Sequence, residues 1–175
     1  MNKFIKTAII GCTGYTGIEL VKLINKHKNV KLIDLGSKSQ FSKEFSDICP
    51  EIKLSNKIII KKNNEIDVSK LDLVFVCLPH IESQKYILNI IDKVKIIDLS
   101  GDFRLKKFED YKKWYNNDHN LPHQIKNFTY GLSEIFNHEI SKSQNISVPG
   151  CYPTSILIPL FPLIKNKLIK YNNII

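Results

Sequence analysis

The chain has 175 residues, 26 basic and 17 acidic, for a formal charge of +9 with neutral histidines. At 43% hydrophobic and 25% charged, the composition is that of an ordinary globular protein and excludes a disordered tail or a collagen-like fibre. The length fits one domain, or one domain plus the start of another.

The positive charge does not point to nucleic acid. Twenty-five of the 26 basic residues are lysine and only Arg104 is arginine. The lysines are scattered, with nothing longer than the pairs Lys61-Lys62, Lys106-Lys107 and Lys112-Lys113. Proteins that grip nucleic acid cluster their charge and use arginine forks, so no nucleic-acid partner is expected. Cys12, Cys49, Cys77 and Cys151 lie far apart with no C-x-x-C pair, which argues against a zinc site or a disulfide framework. No metal is expected, and the first three cysteines read as buried free thiols. Lys3 and Lys6 before Ile9-Ile10-Gly11-Cys12 imitate a lipidation box. The apolar stretch between Lys6 and Cys12 is only five residues, short of the roughly 7–15 of a signal core. The apolar run Ile156 to Ile164 is broken by Pro159 and Pro162 and falls short of the ~20 residues of a membrane span. These features predict a soluble, cytoplasmic protein with no membrane partner.

In chain order, Ile5 to Ile10 is a short apolar run with β-branched residues, a buried-strand pattern. It ends in Gly11-Cys12-Thr13-Gly14-Tyr15-Thr16-Gly17, after which Ile18, Leu20, Val21, Leu23 and Ile24 recur at helical spacing through His27. Further strands are predicted at Val30 to Leu35, Ile58 to Ile60, Leu73 to Leu78 and Val94 to Leu99, with a helix from Ile81 to Ile91. From Ser100 to Asn145 the pattern loosens, apart from a short helix with an aromatic face at Phe108 to Tyr115. Its Tyr111, Trp114 and Tyr115 read as core. Ile146 to Val148 is one more strand candidate. Gly150-Cys151 then turns into a helix from Pro153 to Lys167, in which Pro159 and Pro162 should kink or interrupt the chain. Alternating strands and helices predict an α/β fold, a Rossmann-like parallel sheet with helices on both faces.

Gly11-x-x-Gly14-x-x-Gly17 sits between a predicted strand and a predicted helix. Glycines there allow a tight turn and let backbone amides at a helix start approach a pyrophosphate. The spacing departs from G-x-G-x-x-G, but the strand-turn-helix context favours dinucleotide binding. At the end of the second strand, NAD sites place an acidic residue for the ribose, whereas a 2′-phosphate calls for basic and hydroxyl groups. The tip reads Gly36-Ser37-Lys38-Ser39, which favours NADP. Asp34, two residues earlier, is the competing ribose acceptor if the register shifts. Near the other end, Val148-Pro149-Gly150-Cys151-Tyr152-Pro153-Thr154 sets a thiol just before a predicted helix. Helix amides stabilise a thiolate, so Cys151 is a candidate nucleophile; a small residue packing a tight turn is the alternative.

These motifs, with Leu78-Pro79-His80, Asp98 to Leu105 and Tyr130-Gly131-Leu132-Ser133-Glu134 in order, resemble the N-acetyl-gamma-glutamyl-phosphate reductase family, within the semialdehyde dehydrogenase superfamily. The resemblance runs from about Lys6 to Ile164. It implies NADPH-dependent reduction of an acyl phosphate, N-acetyl-L-glutamyl 5-phosphate, to the 5-semialdehyde with release of phosphate, in arginine biosynthesis. It makes Cys151 the nucleophile that forms a thioester and Arg104 the holder of the substrate phosphate, in place of an ion pair with Asp98 or Asp102. It assigns Gly11, Thr13, Gly14, Tyr15, Thr16 and Gly17 to the cofactor loop, Ser37 and Lys38 to the 2′-phosphate, and Pro79 and His80 to the nicotinamide side. His119 reads as structural or at the site edge, and His27, His123 and His138 as surface residues.

Members of that family are roughly twice as long and carry an α+β catalytic domain after the nucleophile helix, with the acid/base histidine and the oligomer interface. The resemblance therefore implies an NADP-binding domain over 1–148, with the nucleophile turn and first helix of a truncated α+β domain over 149–175. The full-length protein would be a homo-oligomer, and this chain alone would be inactive. Two other readings stand beside it, a non-catalytic NADP-binding module or pseudoenzyme fragment, and the related aminoadipyl-phosphate reductase of lysine biosynthesis.

Overall fold

A computed structural model describes residues 4–170 and 172. Seven parallel strands form one sheet: β1 (Ile5–Ile10), β2 (Val30–Ser37), β3 (Lys61–Lys62), β4 (Leu73–Val76), β5 (Lys95–Asp98), β6 (Phe128–Tyr130) and β7 (Asn145–Ser147). Their order is β3-β2-β1-β4-β5-β7-β6, so the strand order reverses between β1 and β4. Ligands of open α/β sheets bind in the crevice at such a switch point, beyond the carboxyl ends of the strands.

The helices are α1 (Tyr15–Asn25), α2 (Phe45–Ile48), α3 (Glu82–Ile90), α4 (Phe108–Tyr115), α5 (Ser133–Lys142) and α6 (Cys151–Lys165). Successive residues of β1 feed opposite faces, as the two-residue period of a strand requires. Ala8 and Ile10 join Val74, Val76, Ile96, Phe103 and Phe128 in one cluster, covered by Ile87 and Ile90 of α3. Ile9 joins Leu35 and Ile60 in the other, covered by Val21 and Ile24 of α1 and Phe45 of α2. Helices on both faces are what the alternating pattern predicts.

Several features depart from expectation, among them the short helix α2. The strand sought at Ile58 to Ile60 forms instead at Lys61–Lys62, while Ile59 makes only an isolated antiparallel bridge to Glu44. Ile60 is buried and Ile59 half-exposed, and the backbone of Ile58 and Ile60 hydrogen-bonds to Ser42, Lys43 and Phe45, so the run pairs locally without joining the sheet. The irregular region contains β6 and α5, which were not foreseen; β6 has only three residues, too few to show a period. Helix α6 runs through Pro159 and Pro162 without interruption. The prolines deprive the carbonyls of Ser155 and Ile158 of helical donors, and both residues are exposed, so water can satisfy those carbonyls. Trp114 is 72% exposed and faces the Lys113 ammonium, so only Tyr111 and its stacked neighbour Tyr115 contribute to packing.

A polar network holds the carboxyl edge of the sheet. Asp98 ends β5 with no exposed surface and accepts hydrogen bonds from the Ser83 hydroxyl (2.6 Å), the Ser100 hydroxyl (2.7 Å) and the Ser100 amide (3.2 Å). Asp102, equally buried, accepts from the Tyr111 hydroxyl (2.7 Å) and the Ile81 amide (2.9 Å). His119 packs edge-on to Phe103 and Tyr111. Its Nδ1 accepts from the Leu121 amide (2.9 Å), which leaves Nε2–H to donate to the Asp102 carbonyl (3.0 Å). Its role is structural.

Burial lifts the Asp98 carboxyl from 3.8 to about 6, with the Asp102 charge adding and the serine hydrogen bonds opposing. The folded protein therefore binds this proton more tightly than the unfolded chain, and stability attributable to Asp98 rises as pH falls from about 6 toward 3.8. We expect wild type to gain about 2 kcal/mol relative to Asp98→Asn between pH ~7 and ~4.5, read from urea melts of both proteins. A pH-independent difference would contradict the raised value.

Candidate functional site

The glycine turn after β1 divides its three glycines by what surrounds them. Gly11 has φ +81°, and a Cβ there would stand 2.4 Å from the Cys77 carbonyl at the end of β4. A Cβ on Gly17 would stand 2.3 Å from the Gly11 carbonyl and 2.7 Å from the Cys12 Cα. Both glycines are required by backbone packing alone. Gly14 is different, since a Cβ would meet only the Gly11 carbonyl, at 3.6 Å. Gly14 caps α1 without a side-chain hydrogen bond, and the next residue, Tyr15, is 95% exposed. The first turn of α1 thus presents backbone donors and a positive helix end at the switch point, as an anionic pyrophosphate requires.

Thr13 and Ser37 join this turn to the tip of β2. Their hydroxyls lie 3.0 Å apart, and Ser37, almost fully buried, also accepts from the Gln40 amide (3.3 Å). Lys38 projects into solvent and pairs with Glu82 at the start of α3 (Nζ to Oε1, 2.8 Å). Asp34 is held by Lys61 at 2.5 Å, a contact that takes its carboxylate away from the ribose role.

Between the β2 tip and α3 lies a cleft of about 370 Å³, lined by Ser37, Lys38, Lys62, Asn63, Leu78 and Tyr86 among others. Asn63 Oδ1 and the Tyr86 hydroxyl are buried there without a hydrogen-bond partner among the described residues. Buried polar atoms left unpaired are rare, and two lining one cleft suit a polar ligand such as a nucleotide base and ribose. Of Lys62, Asn63, Leu78, Glu82 and Tyr86, the sequence places only Leu78 in a motif, Leu78-Pro79-His80, and singles out none of them as a site residue. They come from three separate segments, and only the fold brings them to Ser37-Lys38.

On the other side of the switch point, Pro79 and His80 follow β4. His80 is half-exposed; its Nδ1 accepts from the Gly101 amide (3.2 Å) and lies 3.5 Å from Asp102 Oδ1, with its ring over Tyr115. A Cβ on Gly101 would collide with that imidazole at 2.1 Å. The chain then makes a γ-turn, with the Glu82 amide donating to the His80 carbonyl (2.8 Å) and Ile81 at φ 67°, ψ −44°. That conformation is strained for a β-branched residue, and the bond from the Ile81 amide to buried Asp102 holds it.

Arg104 makes no ion pair with Asp98 or Asp102, whose oxygens are taken by serines, Tyr111 and backbone. Its Nε donates to the Val148 carbonyl (2.8 Å) and Nη2 to the Leu99 carbonyl (3.1 Å). A Cβ on Gly150 would lie 2.9 Å from Nη1, so the guanidinium abuts the turn that carries Cys151. Cys151 is the first residue of α6 and is exposed. The other three thiols are poor nucleophiles. Burial pushes Cys12 and Cys77 up to about 12 and raises Cys49 as well. A guanidinium that pairs with no carboxylate among the described residues, beside an exposed cysteine, suits phosphate binding next to a nucleophile. Among the described residues no group of three or more His, Cys, Asp or Glu is placed to hold a metal ion, and no helix is long and apolar enough to cross a membrane.

Comparison with known proteins bears on the fold and the family. The pattern of the family described as "Semialdehyde dehydrogenase, NAD binding domain" matches residues 6–143. N-acetyl-gamma-glutamyl-phosphate reductase of Ehrlichia canis is 46% identical over 176 residues, which is all of this chain and 51% of that protein. A probable chloroplastic N-acetyl-gamma-glutamyl-phosphate reductase of Oryza sativa is 38% identical, matching 98% of this chain and 41% of its own length. The chain spans about half the length of the curated relatives it matches. Aspartate semialdehyde dehydrogenase II of Vibrio cholerae shares the fold at a TM-score of 0.69 and 18% identity, covering 93% of this chain and 47% of that one. The parallel sheet, the switch-point turn and the family pattern over most of the chain lead to one conclusion: this chain belongs to the semialdehyde dehydrogenase family and carries its NAD-binding domain.

Proposed function

We propose that the chain is the cofactor-binding half of an NADPH-dependent N-acetyl-gamma-glutamyl-phosphate reductase, acting in the cytoplasm on N-acetyl-L-glutamyl 5-phosphate. The observation that carries the proposal is the placement of Arg104, without a carboxylate partner among the described residues, against the turn of the exposed Cys151.

Residues 1–148 act as the cofactor unit. The amides around Gly14 to Gly17, with Thr13, Tyr15 and Thr16 beside them, hold the pyrophosphate, while Pro79 and His80 border the nicotinamide side. Ser37 serves by fixing the β2 tip to the glycine turn, and Lys38 supplies charge for the 2′-phosphate. NADPH, when bound, supplies the hydride for the reduction.

Residues 149–175 begin a second unit that carries the nucleophile. The Cys151 sulfur attacks the acyl carbon and expels inorganic phosphate, leaving an acyl thioester on the protein. Arg104 orients the phosphate through the nitrogen that faces the turn and offsets its charge as it leaves. Ile156, Leu157, Ile158, Phe161 and Ile164 leave much of α6 apolar and exposed, which suits packing against further polypeptide. The reductase relatives have about as much length again, and we assign to that part the acid/base group and a homo-oligomer interface.

The test uses protein expressed from its whole reading frame, with NADPH oxidation followed in the presence of N-acetylglutamyl phosphate. Cys151→Ser should lose ~10³-fold or more in kcat and keep its NADPH affinity within about twofold. Arg104→Lys should raise KM for the acyl phosphate more than it lowers kcat, because a point charge replaces a fork anchored on two carbonyls. Equal rates for wild type and Cys151→Ser would reject the thioester route.

A further inference from the structure

The two sides of the cleft between the β2 tip and α3 differ in charge. Lys38 and Lys62 stand on one side, Lys85 and Glu82 on the other. Lys62 lies 3.5 Å from Glu65 and its ammonium rests over the Phe41 ring. Lys85 makes no ion pair among the described residues. Glu82 is the one carboxylate among the lining residues, and it is spent on Lys38 at 2.8 Å.

Glu82 does not reach Lys38 by chance rotation of a surface side chain alone. Its backbone is set by the γ-turn at Ile81, and that turn is tied to the buried Asp102 through the Ile81 amide. The carboxylate is thereby delivered to the mouth of a cleft whose other charges are positive. It also lies in the first turn of α3, where a negative charge is favoured by the helix dipole.

We propose that Glu82 is a specificity-determining residue of the cofactor cleft: it acts as the counter-ion of Lys38, and a ribose 2′-phosphate must displace it to engage Lys38 and Lys62. This rests on the reading of the cleft as a dinucleotide site. A phosphomonoester entering the cleft gains the lysines but meets the Glu82 charge, whereas an unphosphorylated ribose does neither. Glu82 therefore lowers the preference for NADPH over NADH. Lys38 and Glu82 are 75% and 42% exposed, so water and salt screen the pair and the effect is modest.

The experiment titrates NADPH and NADH separately into the wild-type chain, Glu82→Gln, and Glu82→Gln combined with Lys38→Gln. Glu82→Gln should tighten NADPH about three- to tenfold and change NADH by less than about twofold, in keeping with a screened single charge. The gain should shrink as salt rises, and it should be lost in the double variant. Unchanged NADPH binding by Glu82→Gln, while wild type binds NADPH, would overturn this proposal and leave the dinucleotide reading intact. Weaker NADH binding by Glu82→Gln would also overturn it, by showing that the carboxylate accepts ribose hydroxyls. Failure of the folded wild-type chain to bind either dinucleotide would overturn both.

Discussion

Two carboxylates without solvent access, Asp98 and Asp102, bracket the turn after β5, and the carboxyl edge of the sheet is assembled from that turn. Burying such groups is costly unless every lone pair is met, and here serines, a tyrosine and backbone amides meet them. The same bonds tie α3 through Ser83, α4 through Tyr111 and the loop after β4 through Ile81. His80 is seated against Gly101 of this turn, and Arg104 leaves its end to reach the Cys151 turn. Because Asp98 and Asp102 are satisfied locally, the only arginine of the chain is released from pairing with either of them.

Backbone packing and chemistry share the glycine turn unequally. Gly11 and Gly17 are demanded by contacts of a few tenths over 2 Å that any Cβ would make with main-chain atoms, with or without a ligand. Gly14 alone leaves open space at the helix start, where the backbone donors of the first turn stay accessible to a ligand. The irregular G-x-x-G-x-x-G spacing thus carries a fold requirement at its ends and a binding opportunity at its centre. The strained turn at Ile81 divides its neighbours in a similar way, with His80 set against Gly101 and Glu82 turned to Lys38 at the β2 tip.

Much of this was readable before any coordinates. Strand β1, helix α1, the helix Phe108–Tyr115 and the parallel class follow from periodicity and turn residues, because long amphipathic segments report their own burial. What periodicity could not reach depends on partners distant in sequence. The Lys38–Glu82 pair spans 44 residues, and Asn63 and Tyr86 come to the cleft from different elements. The resemblance assigns Lys38 to the 2′-phosphate, but nothing in the sequence shows that its ammonium also pairs with Glu82. The run ending at Ile60 looked like a strand because a partly buried, a half-exposed and a buried isoleucine are indistinguishable by composition. Trp114 looked like core for the same reason, since aromatic residues at helical spacing do not say which side the helix turns inward.

The central claim is that Cys151, beside Arg104, takes up the acyl group of an acyl phosphate. The most direct measurement is mass spectrometry of the protein from its whole reading frame, incubated with N-acetylglutamyl phosphate and no reduced cofactor. The account predicts an N-acetylglutamyl adduct confined to the peptide that contains Cys151, with one phosphate released for each adduct formed. Phosphate release at the same rate from Cys151→Ser, with no adduct on the wild-type protein, would contradict it.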